Sequence, residues 1–230
     1  MAKYPVTLGL ELSGRTHSVA MMNAIGETEQ IHIDKAQKDQ DTLFSQIETI
    51  RQRLQIPKKN IELIAVNIGP GSFTGLRKAI SITKMVSLVT GAKIAAIECP
   101  QAIVGSSNPK DGNYLTASDF KGKNFWLSEV CVSNGVLSSI SQTITIDRFV
   151  EYLKNIDGVF GDEYLPNEIK DLINTANISL FKSKPTAGGI INLGLSRWNQ
   201  KQFVDRKAII PIYPREPEAS RVWNLRHNTK

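Results

Sequence analysis

A chain of 230 residues with 41% hydrophobic content is long enough to bury a core, as one large domain or two small ones. Its first residues hold only a short apolar stretch that Glu11 interrupts, so the sequence predicts neither a signal peptide nor a membrane span, and a cytoplasmic protein. The net charge of +6 is unevenly spread: residues 182–230 carry ten Lys/Arg against three Asp/Glu, whereas the residues before them carry 18 against 19.

Val6, Leu8 and Leu10 alternate along residues 6–11 and predict a first strand, followed by a turn at Ser13-Gly14 and a second strand over 17–24. Gly26 turns the chain into a third extended stretch over 27–34, with Ile31 and Ile33 on one side. Asp39 or Asp41 then caps a helix in which Leu43, Phe44, Ile47, Ile50 and Leu54 recur at helical spacing, ending before Pro57.

Residues 61–91 organise the rest. Ile61, Leu63, Ile64, Val66 and Ile68 form the near-continuous apolar run of a strand buried on both faces, which predicts a covered α/β sheet. Gly69 and Gly71 allow close backbone approach around Pro70, and Ser72 or Thr74 caps a helix over 73–90. N–H groups at that helix start offer a place for an anion, and a tight turn without ligand fits the same residues equally well. A nucleotide-binding P-loop is excluded, because Gly75 is followed by Leu76 and Arg77 and not by Lys-Ser/Thr. In the helix, Leu76, Ala79, Ile80, Ile82, Met85, Val86, Leu88 and Val89 spread around most of the circumference, so more than one side is covered. A further strand follows at 93–97.

Polar turn residues from 105 to 112 mark a domain boundary. Beyond it, strands are predicted at 114–119, 124–133 and 136–144, the last two joined by the hairpin signal Asn134-Gly135. Asp147 caps a helix through Lys154, a short strand covers 159–161, a helix 166–175, and a last helix about 187–203 carries Ile190, Ile191, Leu193, Leu195 and Trp198. The chain thus divides into 1–106, 107–186, a helical segment at 187–210 and a basic tail at 211–230. Cys99 and Cys131 lie outside any metal-ligand spacing and predict reduced thiols. The histidines at 17, 32 and 227 form no metal pattern, and Ser72 has no neighbouring histidine, so neither metal nor serine-hydrolase catalysis is expected.

The stretch GPGSFTGLR from Gly69 to Arg77 resembles the signature of the TsaB (YeaZ-like) family of bacterial tRNA-modification proteins, related to TsaD. Ser13 and Ser18-Val19-Ala20 are similar to the start of that family, with Glu11 and Leu12 where it has Asp-Thr. Asp119-Phe120-Lys121-Gly122 and Pro211-Ile212-Tyr213-Pro214-Arg215 match its later motifs in part. The β-β-β-α-β-α-β order resembles the ribonuclease H-like half of the actin, hexokinase and Hsp70 superfamily, implying an α/β fold of two subdomains with mixed sheets flanked by helices.

The resemblance implies a non-catalytic partner of TsaD, with TsaE in the same complex, supporting formation of N6-threonylcarbamoyladenosine at position 37 of tRNA. It implies a homodimer when TsaD is absent, no cofactor of its own, and no counterpart of the TsaD histidine pair. It places the partner surface on the two helices, where Leu43, Ile47, Ile50, Leu76, Ile80, Met85 and Val86 build or support it. Gly69, Gly71, Ser72, Thr74, Gly75 and Arg77 shape the loop. Two other functions fit: a kinase or ATPase of the same superfamily, holding ATP or ADP and Mg²⁺ through Glu11, Ser13 and Asp119 with the Gly69 to Arg77 loop on the phosphates, or a freestanding homodimeric interaction protein. The basic C-terminal region adds a tRNA contact as an expectation, with a solvated tail as the plainer one.

Overall fold

A computed structural model describes residues 3–33, 42–161 and 165–213, apart from the side chains of residues 119 and 120. The expected caps Asp39 and Asp41, the Asp119 carboxylate and the tail beyond Tyr213 lie outside the described residues.

Strands β1 (Thr7–Glu11), β2 (His17–Met22) and β3 (Thr28–Ile33) form an antiparallel meander. Helix α1 (Thr42–Arg53) crosses to β4 (Leu63–Gly69), and α2 (Phe73–Thr90) crosses to β5 (Lys93–Glu98). Both β4 and β5 run parallel to β1, giving the sheet order β3-β2-β1-β4-β5. A short helix α3 (Cys99–Gly105) leads to the second sheet.

That second sheet repeats the pattern of the first. Strands β6 (Gly112–Lys121), β7 (Asn124–Ser133) and β8 (Val136–Thr145) form a meander. A 3₁₀ turn (Ile146–Arg148) and α4 (Phe149–Tyr152) lead to β9 (Gly158–Gly161), and α5 (Asn167–Thr175) leads to β10 (Leu180–Lys182). The order β10-β9-β6-β7-β8 mirrors that of the first sheet strand for strand. Helix α6 (Ala187–Asn199) then returns to the first sheet.

Period-two alternation explains the layers. Leu8, Leu10, Ile64 and Val66 pack with Leu43 and Ile50 of α1 and with Ala79, Ile80 and Ile82 of α2. The alternate residues face α6: a Cβ on Gly9 would lie 2.6 Å from Ala187 O, and one on Gly194 would lie 2.6 Å from Ala65 Cβ. Small residues on both partners let this helix approach closely, so β4 is buried on both faces as its apolar run requires. In the second sheet Leu115, Phe125, Leu127 and Val159 pack on Phe149 of α4 and on Ile169 and Ile173 of α5. Between the sheets, Ala102 and Val104 of α3 and Ile190 and Leu193 of α6 join Tyr114, Val130 and Phe160 in a shared core.

Several local expectations are corrected. Asp147 sits inside the 3₁₀ turn and not at a cap; Thr145 precedes the turn and α4 spans four residues only. The last helix stops at Asn199, where Lys201 adopts φ 54°, well before residue 203. The Asn134-Gly135 hairpin has φ of 51° and 72°, as a type I′ turn demands.

Candidate functional site at the glycine-rich loop

The parallel register pairs Leu10 with Val66. The next residues along each strand, Glu11 and Asn67, therefore point to the same side of the sheet, and both are fully buried. Glu11 Oε2 accepts from Asn67 Nδ2 at 2.6 Å. Its Oε1 accepts from Ser13 N at 2.8 Å and from Ser13 Oγ at 2.5 Å. Asn67 completes the group by donating to Ser13 Oγ at 3.0 Å and accepting from Gly69 N at 2.8 Å. Burial raises the pKa of the Glu11 carboxyl against the lowering effect of hydrogen bonds from Ser13, Asn67 and Gly14. Cys99 Sγ lies 3.7 Å from Ser13 Oγ, and desolvation together with the Glu11 charge pushes its thiol up to about 12.

The loop folds directly over this group. Ser72 N donates to Ser13 O at 2.7 Å, and Ser72 Oγ caps α2 by accepting from Gly75 N at 3.3 Å. Ser72 is thus the cap, and Thr74 is exposed. A Cβ on Gly71 would lie 2.7 Å from Ser13 Cβ, and one on Gly75 would run into Leu12 O. Glycine is required at both positions because the β1 turn and the loop touch backbone to backbone.

A segment beyond α6 straps the loop from outside. Val204 N donates to Ile94 O at 2.9 Å, and Ile212 N donates to Ile68 O at 2.7 Å. Gly69 takes φ 109°, and a Cβ there would lie 2.5 Å from Ile212 O. Tyr213 stacks on Phe73 at 5.1 Å between ring centroids, while the Arg77 guanidinium sits 3.8 Å from the centroid of the Phe73 ring and donates to Tyr213 Oη at 3.4 Å.

A cleft of about 970 Å³ opens beside the loop, lined by Ser13, Arg15, His32, Ser72, Cys99 and Lys184 among others. Glu11 does not line it. Both Glu11 oxygens are engaged within the protein, and the space between the β1 turn and the loop is filled by backbone. Among the described residues no three His, Cys, Asp or Glu side chains are grouped so as to share a metal ion. Among the described residues, none of the side chains that line the cleft is a carboxylate.

The expected partner residues fall into three environments. Leu43, Ile50 and Ile80 are buried in the first core, where they support the helices from beneath, and Leu76 is buried against Gly69 of the loop. Ile47 and Val86 are partly buried against the same core. Met85 is exposed at 48%, together with Leu88 at 65% and Val89 at 67%, which the sequence marks as apolar without telling which side they take. Asn67, and the placement of Ile212 and Tyr213 over the loop, are the parts that sequence reasoning missed. The signal for Asn67 was present: a single amide inside an apolar run must find buried partners.

Three comparisons bear on this geometry. Residues 34–114 match the family model of TsaD, tRNA N6-adenosine threonylcarbamoyltransferase. The tRNA threonylcarbamoyladenosine biosynthesis protein TsaB of Bacillus subtilis (strain 168) is 22% identical over 174 residues, covering 72% of this chain and 74% of that protein. Among solved structures, a Pseudomonas aeruginosa protein with similarity to peptidase YeaZ superposes with a TM-score of 0.75 at 16% identity, over 92% of this chain and all of that one. YeaZ from Pseudomonas aeruginosa superposes with a TM-score of 0.72 at 17% identity, over 91% and 100%. The strand order of both sheets is that of the actin-like fold. No described helix is long and apolar enough to cross a membrane.

Proposed function

We propose that this chain, a TsaB/YeaZ-like protein by sequence and by fold, acts in the biosynthesis of threonylcarbamoyladenosine in tRNA as a non-catalytic partner of a TsaD-type transferase. The exposed apolar stripe of Met85, Leu88 and Val89 on α2 carries this reading. On a helix already packed along its other side, three adjacent exposed apolar residues mark a surface that a protein partner covers. The TsaD family model matches the segment that contains α1, the loop and α2, so the partner brings an equivalent helix pair to the contact. Two related faces pack against each other with near two-fold symmetry, as a self-associating surface would.

The internal use of Glu11 supports a role without nucleotide turnover. Catalysis then belongs to the transferase, and this chain acts by binding one of its arrangements better than another, which shifts their populations. Size-exclusion chromatography with light scattering, on this chain mixed with the TsaD-type protein of the same organism, tests the proposal. A stable mixed complex is the expected result. Absence of a complex under every nucleotide and salt condition overturns it, and a homodimer that excludes the transferase supports a freestanding interaction protein instead.

A further inference from the structure

The strap creates a second surface away from the loop. Its first turn lies beside the end of α2 and the start of β5, and together they form a groove of about 460 Å³ lined by Lys93, Phe203, Arg206 and Lys207. Asp205 is the one acid in that lining, and its Oδ1 is committed to Lys207 N at 2.7 Å within the turn.

The cations of this groove have no structural task that accounts for them. Elsewhere arginines are engaged: Arg51 pairs with Glu48, Arg53 with Glu29, Arg148 with Glu151, and Arg197 bonds Gln101 and Gln202. Lys93, Arg206 and Lys207 make no side-chain ion pair or hydrogen bond among the described residues. Nor does the end of α2 call for them. Gly91 N bonds Ser87 O at 3.0 Å, Thr90 Oγ1 bonds Val86 O at 2.9 Å and Ser87 Oγ bonds Ala92 O at 2.9 Å, so these carbonyls are already satisfied.

Phe203 brings an aromatic ring into the same groove, braced by Trp198 at 5.5 Å in an edge-on contact. Uncompensated cations beside a supported aromatic ring suit a polyanion that also carries flat apolar faces, which describes unpaired RNA better than an acidic peptide. The chain then continues past Tyr213 with Arg215, Arg221, Arg226 and Lys230 against Glu216 and Glu218, so an excess of cations extends along the sequence from the strap.

We infer that the groove of Lys93, Phe203, Arg206 and Lys207 binds the backbone of single-stranded RNA, with Phe203 stacking a base. This rests on the tRNA-modification role proposed above and adds a surface distinct from the α2 stripe. Binding of fluorescent tRNA to the full chain alone, followed by anisotropy from 50 to 200 mM salt, tests it. Neutralising three phosphate contacts corresponds to a salt slope of about 2 in log–log form for a single strand, so the triple variant Lys93→Ala/Arg206→Ala/Lys207→Ala loses about that much slope. It is expected to bind roughly 10-fold or more weakly at low salt. Phe203→Ala lowers affinity for tRNA while leaving affinity for inorganic polyphosphate unchanged, because it removes stacking and not charge.

Unchanged affinity and slope in a folded triple variant overturn the inference. So does loss of binding on deleting residues 214–230 with no effect of the groove substitutions, which would assign the contact to the tail alone. Competition by polyglutamate as strong as by RNA overturns it in favour of an acidic protein partner. Measuring the transferase complex on the same variants separates the two proposals: groove substitutions leave that complex intact, and failure of the complex with RNA binding retained counts against the partner role alone.

Discussion

Glu11 and Asn67, 56 residues apart in the chain, meet at 2.6 Å at the ends of two adjacent parallel strands, and their hydrogen bond fixes where the glycine-rich loop begins. Because Asn67 Oδ1 also holds Gly69 N, the carboxylate at the end of β1 and the first loop amide belong to one buried network. Glu11→Ala removes the acceptor for Ser13 N, Ser13 Oγ and Asn67 Nδ2 at once, leaving buried donors unpaired. The expected loss is about 3 kcal/mol of stability, in the range for a broken buried network. Urea unfolding followed by circular dichroism measures it, and a loss below about 1 kcal/mol would mean that water replaces the carboxylate.

The same carboxylate gives stability a pH dependence of defined sign. Its folded pKa is raised by burial above the ordinary 4.5, so the folded protein keeps a proton that the unfolded chain has already released. The contribution is fully present below pH 4.5 and is lost as pH rises through the folded value. Glu11→Gln removes this term at a cost of about 1 kcal/mol, since the amide puts an NH₂ donor where one of the two oxygens accepted from Ser13 or Asn67. The stability difference between wild type and Glu11→Gln, plotted from pH 4.5 upward, should therefore shrink as pH rises. A difference that stays constant would show that Glu11 titrates normally.

The loop glycines make a sharper steric prediction. Gly75→Ala drives a Cβ into Leu12 O, and Gly71→Ala brings one to 2.7 Å from Ser13 O, both against backbone that cannot move aside. Each should cost roughly 1–3 kcal/mol, the usual penalty for overpacking. Gly14→Ala is the control, because its nearest neighbour would be Thr16 O at 3.7 Å. Its melting temperature should match that of the wild type in calorimetry.

Much of this arrangement was legible beforehand, and the reasons for the rest are physical. The apolar run of β4 and the Asn134-Gly135 turn follow from burial and backbone preference within a few residues, so the sequence alone locates them, and it narrows the cap of α2 to Ser72 or Thr74, of which the structure uses Ser72. The duplicated topology did not show. Strand β10 is three residues long with two of them exposed, and α4 is a single turn, so neither leaves a periodic pattern. Helix α3 hid behind Pro100, which occupies its first turn, where proline is tolerated. Which face of α2 stays open is a tertiary fact: Ile80 and Leu88 look alike in sequence, yet one is buried at 5% and the other exposed at 65%.

That difference separates folding from assembly in mutants. Ile80→Glu places an unpaired charge in the first core and should unfold the chain, at a cost of about 3–5 kcal/mol. Leu88→Glu and Val89→Glu lie in solvent and should change stability by about 0.5 kcal/mol or less. Those exposed substitutions should weaken the mixed complex with the transferase by at least about 10-fold, by burying an unpaired charge at the contact. Isothermal titration of folded variants decides this. Full affinity in the Leu88→Glu/Val89→Glu double variant would move the partner surface off α2.

The strap offers the last test, because it joins the C-terminal segment to the loop through one aromatic stack. Tyr213→Ala removes the ring against Phe73 and the hydroxyl that accepts from Arg77. An aromatic pair contributes about 0.5–1.5 kcal/mol beyond its buried area, so global stability should fall by roughly 1–2 kcal/mol. Local opening should change more. The Ile212 amide, bonded to Ile68 O at 2.7 Å, is held in place by its neighbour and should exchange with solvent about 10-fold faster in the variant. The Val204 amide, bonded to Ile94 O at the far end of the strap, should exchange at the wild-type rate once the global change is subtracted. Equal acceleration at both amides would mean that the strap opens as one unit and that Tyr213 is no separate clamp on the loop.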